Sequence, residues 1–185
     1  MSRFALIAAP LLMFAYGVVR IFDGLDGHYG PGPAWTAGHV LFLGSLLLFG
    51  VGLVALRRAS LVLAAVGLAG LAAFVRVAVV DIVVGLRASG PEEKSVLADR
   101  YADVPHVLPS VFYEVGPLLF MVGLVGTLVV LAVRRALPWW SPVLVAAGFA
   151  AITVRTGLLP VGAAVLAAGL LPAAVQAVPA RKVRR

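Results

Sequence analysis

Residues 61–86 read LVLAAVGLAGLAAFVRVAVVDIVVGL, a run broken by charge only at Arg76 and Asp81. It exceeds the roughly 20 apolar residues that cross a bilayer. Its apolar side chains occupy every direction around a helix instead of one stripe, so its solvent is hydrocarbon. The rest of the chain agrees. Hydrophobic residues make up 62% of the sequence, charged residues 12%, and the mean hydropathy is +1.07. An ordinary water-soluble domain carries about 25% charged residues, so a soluble core is excluded.

Outward from this run, comparable stretches occur at residues 4–22, 34–56 and 111–133. Trp139 to Val178 is apolar except around Arg155, Thr156, Gly157 and Pro160. That length holds two spans, at about 139–155 and 159–178, joined by a tight turn. The fold class expected is therefore all-α: one integral membrane domain over residues 1–185, a polytopic helix bundle of about six spans arranged as three hairpins.

Charge placement gives the same count. Arg3, Arg57 with Arg58, Arg134 with Arg135, and the Arg181–Arg185 tail are each separated by two spans. All four clusters then fall on one side, which the positive-inside rule makes cytoplasmic, with both termini inside. Trp139 and Trp140 fit an interfacial anchor beside the second arginine pair. The net charge of +7 and pI near 10.8 thus record topology, and no nucleic-acid partner is expected. The first run lacks a small-residue cleavage pattern and is closed by Arg20, which predicts a retained anchor instead of a signal peptide. Cysteine is absent, which removes disulfides, thiolate metal sites and thiol catalysis. Thirteen arginines against two lysines, with abundant Ala, Gly and Val, suggest a GC-rich bacterial source and hence a bacterial plasma membrane.

Two outer loops carry information. Residues 23–33 include Gly24, Gly27, Gly30, Pro31, Gly32 and Pro33, a turn composition suited to a compact cap. Residues 87–110 contain Pro91-Glu92-Glu93, where Pro suits a first helical turn and the acids suit a helix N-terminus. Leu97 and Tyr101 then share a face, which predicts a short helix lying on the outer surface.

Ionisable groups inside spans cost about 2.5–3.5 kcal/mol on insertion scales and are functional candidates by default. Arg20, His39, Arg76, Asp81, Glu114 and Arg155 all fall in outer halves of their spans. Arg76 is the deepest. It shares an angular face with Ala65, Ala69 and Ala72, which predicts that it faces the bundle, with Glu114 of the next span as partner. Asp81, about 140° further round, reads as interfacial. His39 reads first as a hydrogen-bonded packing residue. His28, His39 and His106 with Asp23, Asp26 or Glu114 show no metal-ligand spacing, so no metal or haem cofactor is expected. Gly116 with Gly123, and Gly162 with Gly169, predict close helix packing. Pro160 and Pro172 predict a kink in the last span.

No phosphate loop, nucleophile elbow, zincin pattern or dinucleotide fingerprint is present. The leading expectation is an outward-facing pocket formed by His39, Arg76, Asp81 and Glu114 that binds or passes a small polar or anionic ligand or a lipid headgroup. Two alternatives remain at this level. One is an accessory subunit packing against a larger membrane complex, or a second copy of itself, through small-residue faces. The other is a lipid-directed membrane enzyme using His39 or Glu114 as acid or base.

Overall fold

The computed structural model describes residues 2–25, 27–103 and 110–176; His106, Asp26 and the Arg181–Arg185 tail lie outside them. Every regular element among the described residues is a helix. These are α1 (Ser2–Asp23), α2 (Pro33–Leu56), α3 (Leu61–Arg87), α4 (Pro91–Asp103), α5 (Ser110–Val133), α6 (Trp140–Val154) and α7 (Leu159–Gln176), with a 3-10 turn at Thr156–Leu158. Five helices are long and apolar enough to cross a membrane, and α6 is a shorter apolar one. The chain is a multi-span integral membrane helix bundle.

Helix limits follow local chemistry. The Ser60 hydroxyl caps α3 by accepting from the Leu63 N–H at 3.3 Å, satisfying one of the donors that a helix start leaves open. Pro33 opens α2, where a missing N–H removes no intrahelical bond. Pro160 likewise falls in the first turn of α7, so it starts this helix. Only Pro172 lies in its interior.

The five long apolar helices and the shorter α6 form a closed ring. α1 packs on α2, α2 on α3, α3 on α5, α5 on α6, α6 on α7, and α7 back on α1, with α5 against α6 the sparsest seam. The pairs α1/α2, α3/α5 and α6/α7 are three antiparallel hairpins, which brings Arg3, Arg57, Arg58, Arg134 and Arg135 to one end of the bundle. We call the opposite end, which carries α4, the outer end.

Lipid offers no hydrophobic drive between helices, so close packing and polar contacts hold such a bundle together. Glycine provides the approach between α3 and α5. A Cβ at Gly123 would lie 2.3 Å from the Gly67 Cα, and one at Gly70 would lie 2.4 Å from the Gly116 carbonyl oxygen. Between α6 and α7, Gly148 faces Gly162, and the buried Ser141 hydroxyl donates to the Gly169 carbonyl at 2.6 Å. Ser45, fully buried, donates from α2 to the Ala9 carbonyl of α1 at 2.7 Å.

One expectation changes here. Ala65, Ala69 and Ala72 are exposed, and α3 packs instead through Ala64, Gly67, Gly70, Leu71 and Ala73. The two faces are rotated by about one residue, roughly 100°. Glycine, which permits a closer crossing than alanine, fixes the rotation.

The third hairpin is short. Its α6 has 15 residues, about 22 Å against the roughly 30 Å of a hydrocarbon core. Gly17 of α1 stands level with Pro160, where a Cβ would meet the Pro160 nitrogen at 2.8 Å. Six residues of α1 therefore continue beyond the α6/α7 turn, about 9 Å of helix. The wall of the ring is lower on that side, at its outer end.

Candidate functional site

His39 lies in the second turn of α2 and Asp81 in the penultimate turns of α3, each about 9 Å inside the outer limit of its helix. The α2/α3 contact brings their side chains together, with Nε2 of His39 3.5 Å from Oδ2 of Asp81. On its other edge, Nδ1 of His39 is 2.8 Å from the Trp35 carbonyl oxygen, one helical turn back. Trp35 closes the triangle by donating its indole N–H to the Asp81 carbonyl at 2.9 Å. The imidazole is 4% exposed and sits between two rings, Trp35 at 4.2 Å and Tyr16 at 5.3 Å between centroids. These neighbours hold the ring on both edges and both faces.

Above this group the outer surface is stapled by cation–aromatic contacts. Arg20 stacks on Tyr29 at 4.5 Å, and Lys94 of α4 stacks on Trp35 at 4.2 Å while donating to the Tyr29 carbonyl. Asp23 accepts from the Gly30 N–H at 3.1 Å. Gly30 has a φ of 49°, and a Cβ there would run into the Trp35 ring, so the loop needs glycine at this point. Between these residues a cleft of about 10 Å³ is lined by Tyr16, Arg20, Asp23, Trp35, Gly38 and His39, room for about one water molecule.

Beneath it lies the central chamber, about 260 Å³, bounded by residues of α1, α2, α3, α5, α6 and α7. Its walls are Tyr16, Phe42, Phe74, Phe149, Met13, Met121, Thr153 and aliphatic neighbours, with Asp81 the only carboxylic acid among the described residues that line it. The Asp81 side chain is 33% exposed, whereas His39 behind it is closed off. Ile152, Thr153 and Leu159, at the ends of the short hairpin, also line the chamber, so its outer rim is lowest there. A second hollow of about 300 Å³ at the arginine end is lined by Leu6, Leu56, Leu131, Leu137 and Gln176 among others. Among the described residues no ionisable group lines it.

Of the four residues singled out from sequence, His39 and Asp81 meet. Arg76 and Glu114 stand elsewhere. Arg76, half-buried, donates to the Tyr101 carbonyl of α4 at 3.2 Å and lies over the Tyr113 ring at 4.7 Å. Glu114 is exposed. The rotation of α5 explains this: Gly116 is clamped against Ala73 and Gly70, which turns Tyr113, about 60° away, toward α3 and Glu114, about 160° away, to the far side. Neither Arg76 nor Glu114 lines the chamber. Among the described residues no three of His, Cys, Asp and Glu gather as a metal site.

Trp35 and Tyr16 escaped the sequence reading. Trp35 precedes His39 by four residues, a spacing that puts both on one face of α2, and this was the available signal. Tyr16 offered none, because its role depends on how α1 crosses α2. The chain matches no family model, no curated protein and no solved structure.

Proposed function

We propose that this integral membrane protein binds a small amphipathic molecule in its outer half, with the apolar body in the central chamber and the polar end on Asp81. One observation carries this reading: the acidic residue Asp81 stands in the wall of a largely apolar chamber, with the hydroxyl-bearing Tyr16 and Thr153, that α1, α2, α3, α5, α6 and α7 all touch. Apolar hollows with a few placed polar groups are the usual form of small-molecule sites, and an acid inside a span is retained against its insertion cost. A lipid headgroup or a small polar group fits the polar end. An anionic ligand with Arg76 as counter-charge fits poorly, because the charge at the wall is acidic and Arg76 is engaged with Tyr101 and Tyr113. The positive-inside rule puts the arginine end in the cytoplasm, so the chamber belongs to the opposite leaflet. The arginine-rich, alanine-rich composition favours a bacterial plasma membrane. An accessory role resting on glycine faces loses support, since those faces are taken up between α3 and α5 and between α6 and α7.

The test uses the full chain in detergent or nanodiscs, titrated with 4-phenylbutanol and read by saturation-transfer NMR. Val77 lines the chamber, and Val79 is exposed on another face of α3. Val77→Phe should abolish binding, and Val79→Phe should leave it intact. Equal binding by the wild type and Val77→Phe would remove the chamber as the site.

A further inference from the structure

The contacts of His39 determine what Asp81 holds. The Trp35 carbonyl is an acceptor only, so the 2.8 Å contact requires a hydrogen on Nδ1 of His39. In the neutral ring Nε2 is then a bare lone pair, and it faces Oδ2 of Asp81 at 3.5 Å. Two acceptors face each other. His39 is buried and Asp81 partly so, and an acceptor pair at this distance favours a positive charge or a shared hydrogen between its members. The pair therefore holds one proton, as imidazolium with carboxylate or as imidazole with carboxylic acid.

That proton has water on one side and the chamber on the other. The one-water cleft reaches His39 from the outer surface past Asp23 and Arg20, while Asp81 lines the chamber. Among the described residues, the charged and titratable groups around the pair are Tyr16, Arg20 and Asp23 from α1 and Lys94 from α4. The two cations are already held over Tyr29 and Trp35 on the cleft side. Among the described residues, α5, α6 and α7 present no charged side chain to the chamber, and no cation lines it. What the chamber does present is four aromatic rings, Tyr16, Phe42, Phe74 and Phe149, and aromatic rings attract cations, more strongly when desolvated.

We infer that the His39–Asp81 pair binds either a proton from the outer surface or, in its place, the cationic head of a lipophilic amine whose apolar part fills the chamber. Resting on the chamber reading above, this adds the ligand's charge and its competitor. When the cation arrives on Asp81, the proton leaves through the cleft, and the charge of the pair and its occupant is unchanged.

The probe is 4-phenylbutyltrimethylammonium, which cannot lose a proton, compared with its uncharged carbon isostere bearing a tert-butyl group. Both are titrated into the full chain in nanodiscs from about pH 6 to about pH 8, the range in which histidine-linked charge ordinarily changes. One-for-one exchange predicts that cation affinity rises about tenfold per pH unit while the pair stays protonated. A pH indicator in weak buffer should then record one proton released per probe bound, and the neutral isostere should bind independently of pH. Asp81→Asn should lose the cation and its proton release but keep the isostere. His39→Gln supplies a fixed donor to Asp81, so it should keep cation binding with a flattened pH dependence; this holds the test if Asp81→Asn fails to fold. Cation binding that ignores pH in the wild type overturns the proposal, as does isostere binding without cation binding. Binding of neither probe would overturn the chamber reading along with it.

Discussion

Replacing Gly123 with alanine tests the architecture that carries the site without reference to any ligand. The new methyl group would stand 2.3 Å from the Gly67 Cα, 2.4 Å from the Gly67 nitrogen and 2.7 Å from the Leu63 carbonyl oxygen. Ordinary contact for a Cβ begins near 3.4 Å, so α3 and α5 must separate by about 1 Å. The obstacle is backbone in all three contacts, and no rotamer change relieves it. Overpacking of this kind costs about 1–3 kcal/mol, and the rigid surroundings place Gly123→Ala toward the upper figure. Separation would also loosen the approach of Gly70 to Gly116, along the same seam that sets the rotation of Asp81 and Tyr113. Equilibrium unfolding in mixed micelles, from detergent to dodecyl sulfate, measures the loss. Gly157→Ala is the control, since a Cβ there meets nothing within 4 Å, and its effect should stay within about 0.5 kcal/mol. If Gly123→Ala unfolds at the same point as Gly157→Ala, the α3/α5 crossing described above is wrong.

Other consequences are accessible to similar means. Arg76→Ala and Tyr113→Leu should be coupled in a double-mutant cycle by about 0.5–2 kcal/mol, the range of a cation–ring contact; additivity would remove that contact. Ser141→Ala removes a buried hydroxyl that ties α6 to α7 and should cost about 0.6 kcal/mol, the mean for interhelical hydrogen bonds in a bilayer, with no change at all arguing against the α6/α7 register. Glu93, outside the spans, accepts from both the N–H and the hydroxyl of Ser89 at the start of α4, which holds its carboxyl below the ordinary 4.5. Because the folded value is depressed, its support for α4 is complete above that ordinary value and is lost as pH falls through the lowered one. Amide exchange in the first turn of α4 should accelerate there in the wild type, and a Glu93→Gln protein that still shows the acid-induced step would assign it to another group. For topology, Ser95→Cys should react with an impermeant reagent from outside intact cells and Ser60→Cys should not; the reverse pattern would invert the bundle.

The hydrophobic runs and arginine pairs were enough to read the hairpins from the sequence, because spanning length and interfacial charge are local properties. Side-chain direction was not local. Glu114 was placed at the right level for Arg76 and on the wrong side of its helix, since the rotation of α5 is set by glycines touching α3, two to nine residues further along. Similarly, the exposed Ala65, Ala69 and Ala72 and the buried Gly67 and Gly70 differ by one step of rotation, which a chain of small residues does not reveal by itself. Asp81 looked like an interfacial acid because its partner is 42 residues away on α2, and pairing across a ring of helices leaves no spacing signature. His39 was read as a hydrogen-bonded packing residue, and the Trp35 carbonyl supplies that bond; the carboxylate on its other edge gives the residue its chemistry.

The proposal that the chamber opens outward is tested most directly through the absence of cysteine from the chain. Met121 lines the chamber, and its neighbour Val122 is exposed on the lipid-facing side of α5. In oriented vesicles, an impermeant methanethiosulfonate applied from the side bearing α4 should modify Met121→Cys if the chamber opens on that side. Val122→Cys, against lipid, should resist, and 4-phenylbutanol should protect Met121→Cys. Resistance of Met121→Cys while Ser95→Cys reacts, or modification that 4-phenylbutanol leaves unchanged, would contradict a ligand chamber open to the outside.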